Sequence, residues 1–169
     1  MSPTKTRVVD RILHWISAIA IVILLTDMNT RIHYVDYRIK GQMEHKQDAI
    51  EVHIVVAIVL LISLIGRMIW SHLFLHQDYK VKYKSNRHKL LVRTVHSSLY
   101  LICFALMVSG VFMVANYEHP LDIFSLLTLS EDGVMRSLYL AANEWHLQLK
   151  SIILVFVFVH VAGAIHSRK

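Results

Sequence analysis

The sequence predicts an all-α integral membrane protein, a four-helix bundle with both termini in the cytoplasm. Three observations carry that expectation: an apolar composition, four hydrophobic runs of spanning length, and a one-sided distribution of basic residues. Hydrophobic residues make up 55% of the 169-residue chain and the mean hydropathy is +0.47. That is more apolar than an ordinary soluble domain of this size.

The runs cover roughly residues 12–28, 50–70, 92–114 and 147–165. Each approaches or exceeds the length of about 20 residues that crosses a hydrocarbon core about 30 Å thick. The only prolines, Pro3 and Pro120, lie outside every run, so nothing inside one breaks a helix. With their polar ends included, the helices are expected at about 11–30, 48–73, 88–115 and 138–166. The first run is short and is expected to continue as helix past Asp27. It carries His14 and Trp15 and no small-residue cleavage site follows Met28, so it reads as a retained span rather than a signal peptide. No repeat, low-complexity tract or Gly/Ser linker divides the chain, so residues 1–169 read as one transmembrane domain. In the links, 30–47 is polar with Tyr34 and Tyr37, and the stretch from Pro120 to Leu127 is expected to form a short interfacial helix.

Charge sets the orientation. Lys5, Arg7, Arg11, Arg67, Lys80, Lys82, Lys84, Arg87, Lys89, Arg93, Arg168 and Lys169 fall on one side, with only Asp10 and Asp78. The other side has six basic residues, Arg31, Arg38, Lys40, Lys46, Arg136 and Lys150, among ten acids. The positive-inside rule puts the basic side in the cytoplasm. The net charge of +6 is thus a topology signal. It does not indicate nucleic-acid binding, because the basic residues flank spans and lack interleaved aromatics. The single cysteine, Cys103, lies mid-helix and excludes a disulfide framework or a cysteine-based metal cluster.

Six of the twelve histidines lie within or at the edges of the apolar runs: His14, His53, His96, His146, His160 and His166. An ionisable side chain at such a place is costly and usually faces a partner inside the bundle. The topology sorts them into two layers. His53 and His146 fall near the external face; His14, His96, His160 and His166 fall near the cytoplasmic face. His146 and His160 are fourteen residues apart, almost four helical turns, so they leave the fourth helix on nearly the same side about 21 Å apart. In each layer the fourth helix thus offers one histidine to face a histidine of another helix. Opposed neutral imidazoles in an apolar shell are what six-coordinate haem iron requires.

Arg67 lies fourteen residues after His53, at the cytoplasmic level, where a guanidinium can pair with haem propionates. Arg93, three residues before His96, is a second candidate. The competing reading for both is snorkelling to lipid phosphates. Gly66 and Gly110 either admit a flat macrocycle or serve close helix packing. A zinc or copper transporter would place ligands along a continuous path with acidic, Met or Cys partners. Here the mid-membrane zone lacks ionisable residues, which suits electron transfer between two centres.

These residues resemble the bacterial cytochrome b561 group of small four-helix di-haem proteins, and more distantly the cytochrome b subunits of hydrogenases and formate dehydrogenases. The matching pieces are Arg11-Ile-Leu-His14-Trp15, His53 with Arg67, His96-Ser-Ser-Leu-Tyr100 with Gly110 and Asn116, Glu144-Trp145-His146, and His160-Val-Ala-Gly-Ala-Ile-His166. They cover nearly the whole chain. The resemblance implies ligands from helices one, two and four: His53 with His146 for an external haem b, and His14 with His160 for an internal one. His96 then becomes a supporting or quinone-site residue and is the alternative to His14.

The resemblance further implies a multi-pass protein of the bacterial inner membrane that oxidises an external donor, superoxide being one used in the group, with ubiquinone as acceptor. The quinone is expected on the cytoplasmic side near His166, Arg67, Arg93 or His96. Arg31, Arg38, Lys40 and Lys46 are candidates to steer an anionic donor, although ten acids share their side. The other functional class is a membrane anchor and electron conduit for a larger redox complex, such as a hydrogenase or dehydrogenase, docking a redox partner protein outside.

Overall fold

The computed structural model describes the backbone of residues 3–31, 42–75, 85–118, 121–123, 127–129 and 133–166, and side chains within 6–26, 45–74, 85–118 and 133–166. Four long helices dominate: α1 (Pro3–Arg31), α2 (Gln42–Trp70), α3 (Asn86–Ala115) and α4 (Arg136–His166). All four are long and apolar enough to cross a membrane. At 29 to 31 residues each, they are about 45 Å long and outreach the hydrocarbon core. They therefore begin earlier than hydrophobicity alone indicates. α1 opens at Pro3, whose fixed φ and missing N–H suit a first helical turn. α2 continues into one π-helical turn, Ser71–Leu75, carrying His72. α3 is capped by Ser85, whose hydroxyl accepts from the His88 amide at 3.2 Å.

One expectation is corrected. Where a short helix was expected after Pro120, the chain forms two three-residue strands, β1 (Leu121–Ile123) and β2 (Leu127–Leu129), paired in one small sheet. So short a segment gains little from helix formation on its own, and Ile123 and Thr128 favour extended backbone. Tyr34, Tyr37, Arg38 and Lys40, expected in the first external link, lie outside the described residues.

The described chain forms two units, one built on α1 and α2 and the other on α3 and α4. Both pairs are antiparallel and both are inverted relative to a soluble core. Large apolar side chains point outward, among them Leu101 (69% exposed) and Phe158 (74%), while Ser17, Ala20, Ala49, Ser63, Ser109 and Ala142 are buried. That is the pattern of helices solvated by lipid, where small residues permit close approach and polar groups bond across the contact.

In the first unit, Ser17 and Ser63 meet hydroxyl to hydroxyl at 2.8 Å, and each also reaches a carbonyl on its own helix, Leu13 and Leu60. The Trp70 indole N–H closes the end of the pair by donating to the Thr6 carbonyl at 3.1 Å. In the second unit, buried Asn116 ends α3. Its amide donates to the Phe112 carbonyl at 2.9 Å, and its oxygen accepts from the Met135 amide at 3.1 Å, just ahead of α4. The exposed Arg136–Glu118 ion pair spans the same connection at 3.2 Å.

Asn116→Ala removes both amide bonds of a buried side chain, at a cost of about 1–3 kcal/mol. The expected result is a lower unfolding midpoint in detergent. Arg136→Ala, which removes only an exposed pair, is expected to change that midpoint little.

Candidate functional site

In the first unit, His14 lies on α1 one turn after Asp10, and Arg67 of α2 joins the two. The guanidinium places Nε 3.0 Å from Asp10 Oδ1 and Nη1 3.1 Å from His14 Nδ1. A guanidinium can only donate. His14 Nδ1 therefore accepts, and the ring proton sits on Nε2. Arg67 has a protein carboxylate as its partner, which the sequence reading did not foresee. Asp10 and Arg67 are only 29% and 21% exposed, so each charge is compensated away from bulk water. Gly66 serves helix packing: a Cβ there would meet Leu13 Cδ2 at 3.9 Å. His53 is half-buried on α2.

In the second unit, α3 runs antiparallel to α4 in a register that meets both α4 histidines. Ser109 Oγ lies 2.9 Å from His146 Nδ1, and thirteen residues earlier the His96 ring contacts His160. Thirteen residues of helix rise about 20 Å, matching the 21 Å or so between the two histidines of α4.

The Ser109 hydroxyl has one hydrogen and two contacts. It lies 2.9 Å from the Leu106 carbonyl, which can only accept, and 2.9 Å from His146 Nδ1. Both contacts are hydrogen bonds only if Ser109 donates to Leu106 and accepts from His146 Nδ1–H. The His146 lone pair is then on Nε2, the form in which an imidazole ligates iron. Gly110 lies under the same ring, and a Cβ there would stand 3.7 Å from His146 Cε1. Gly110 thus borders a candidate ligand, whereas Gly66 does not.

The His96 and His160 ring centroids are 4.8 Å apart with planes at 89°, edge to face. Two imidazoles opposed across one metal ion, each bonded at about 2 Å, would have centroids roughly 6 Å apart. His96 and His160 as arranged therefore contact each other directly. His96 Nδ1 donates to the Val92 carbonyl at 2.7 Å, which fixes the ring. The Val92 bond leaves the His96 lone pair on Nε2, the ligating form, but the direct ring contact leaves no room for iron between His96 and His160.

Arg93 and His166 are exposed, at the start of α3 and the end of α4 and so at the same end of the antiparallel pair. Among the described residues no group of three or more His, Cys, Asp or Glu is arranged to hold a metal ion. Haem iron needs only two protein ligands. Asp10 and Ser109 are the functional candidates that sequence reasoning missed. The signals were an acid one turn before His14 and a serine beside Gly110, neither informative until the helices were in register.

A family model described as prokaryotic cytochrome b561 matches residues 5–169. No significant match to a curated protein or to a solved structure was found. With the match running almost end to end over four spanning helices, the chain belongs to the prokaryotic cytochrome b561 family, membrane proteins that carry electrons on haem b.

Proposed function

We propose that this protein carries electrons on two haem b groups from a small donor outside the bacterial inner membrane, superoxide being one candidate, to a quinone on the cytoplasmic side. The observation that carries the reading is α4 itself, with its two histidines about 21 Å apart and His146 held in the iron-ligating tautomer by Ser109. Haem b supplies reversible one-electron exchange between ferric and ferrous iron. With two imidazoles per iron both axial positions are filled, which favours electron transfer over dioxygen binding.

The ligand assignment pairs His53 with His146 near the external face and His14 with His160 near the cytoplasmic face. For His146 the fit is direct. For His14 it is conditional, because ligation through Nε2 requires the proton on Nδ1, where Arg67 now donates. His14 would take the ligating form if Arg67 Nη1 turned to another acceptor, such as a haem propionate, leaving Nε on Asp10. The contact between His96 and His160 supports His14, rather than His96, as the ligand opposite His160.

The assignment predicts that His53→Ala and His146→Ala each remove the same haem, and that His14→Ala and His160→Ala each remove the other. Difference spectra combined with haem quantitation check this. Loss of the internal haem in His96→Ala with retention in His14→Ala would reverse that part of the assignment.

Quinone reduction takes up two protons, and histidines at the membrane edge can relay them near neutral pH. His166 and Arg93, exposed at one end of the second unit, suit this task. The positive-inside distribution assigns that end to the cytoplasm. His166→Ala is expected to slow quinone reduction several-fold with both haems retained, and His96→Ala to slow it as well. Full turnover in both variants would move the quinone site elsewhere.

A further inference from the structure

We infer that Ser109 is a positioning residue for the external haem, setting the tautomer, the ring orientation and the electron-donating strength of His146. The inference rests on the reading of His146 as an iron ligand. It adds a residue from α3, a helix to which that reading assigns no ligand.

The Ser109 hydroxyl hydrogen is committed to the Leu106 carbonyl at 2.9 Å, so its oxygen is left as an acceptor for His146 Nδ1 at 2.9 Å. A buried polar group in an apolar span is held to such a bond, because no water competes for it. Ser109 itself is 8% exposed. The acceptor has three effects. Together with the Leu106 carbonyl, which the His146 ring also reaches, it keeps the proton on Nδ1 and the lone pair on Nε2. It limits rotation of the ring about Cβ–Cγ, which the contact of Cε1 with Gly110 reinforces. It also draws on the Nδ1–H bond, which makes Nε2 a better donor to a metal and stabilises the ferric over the ferrous state. The first unit differs: His14 Nδ1 faces the Arg67 cation, not an acceptor. The influence of Ser109 therefore falls on one haem alone.

The test is Ser109→Ala in the full-length, haem-loaded protein, read by potentiometric titration and by electron paramagnetic resonance of the oxidised state. The expected result is two haems retained, an upward shift of one midpoint potential with the other unchanged, and a changed g value for one low-spin signal. Ser109→Thr, which keeps a hydroxyl, is expected to restore the wild-type values. If Ser109→Ala fails to fold, Ser109→Cys, with only a weak acceptor sulfur, is expected to give the same shift. Both potentials and both signals unchanged in the folded Ala or Cys variant would overturn the inference. His146→Ala is measured alongside. Retention of both haems there would remove the ligand reading itself. Loss of one haem there, with Ser109→Ala indistinguishable from wild type, would remove only the role of Ser109.

Discussion

A polar side chain inside a lipid-solvated span has no water to bond, so it has to be answered by its own helix or by a neighbouring one. Much of what is specific about this protein follows from that constraint. Large apolar side chains are spent on the outside, where lipid is as good a solvent as a protein core. What distinguishes one helix contact from another is then a few small or polar residues. Ser17 with Ser63 holds α1 to α2, and Asn116 fixes the turn from α3 toward α4. The same economy governs the histidines. Each imidazole described in detail has a partner that decides where its proton sits: Arg67 for His14, the Val92 carbonyl for His96, and Ser109 for His146.

These partners give the two units different chemistry. At the end holding His14, Arg67 and Asp10, a permanent cation is compensated by a carboxylate, with one guanidinium arm on the ring and another on the acid. At the level of His146 there is a neutral acceptor and a glycine. An acceptor at Nδ1–H makes an imidazole a stronger donor to iron, whereas His14, bonded to Arg67, carries its ring proton on Nε2. On the proposed ligand assignment, the two haems therefore sit in unequal electrostatic surroundings, which suits directed electron flow.

Much of this was legible in the sequence. Four spans followed from hydrophobic run length. The separation of His146 and His160 along α4 followed from counting residues, because periodicity fixes height and face once a segment is known to be helical. The length of the first two helices was underestimated, since Pro3 to Asp10 and Gln42 to Gln47 are polar enough to look like links yet continue the helix. The strands β1 and β2 escaped because their short apolar stretch is compatible with either state. Asp10 and Ser109 escaped for a different reason. A lone acid or serine in an apolar run gains meaning only from what faces it, and that depends on the register between helices. The register of α3 on α4, which sets His96 against His160 and Ser109 against His146, is a property of side-chain packing and is not encoded in any local pattern.

The measurement that bears most directly on the central claim is haem stoichiometry combined with spin state: pyridine haemochrome quantitation against protein concentration, with electron paramagnetic resonance of the oxidised protein. Two bis-imidazole centres predict two haem b per chain and two low-spin ferric signals with no substantial high-spin component. One haem per chain, or a resting state dominated by high-spin iron, would contradict the account.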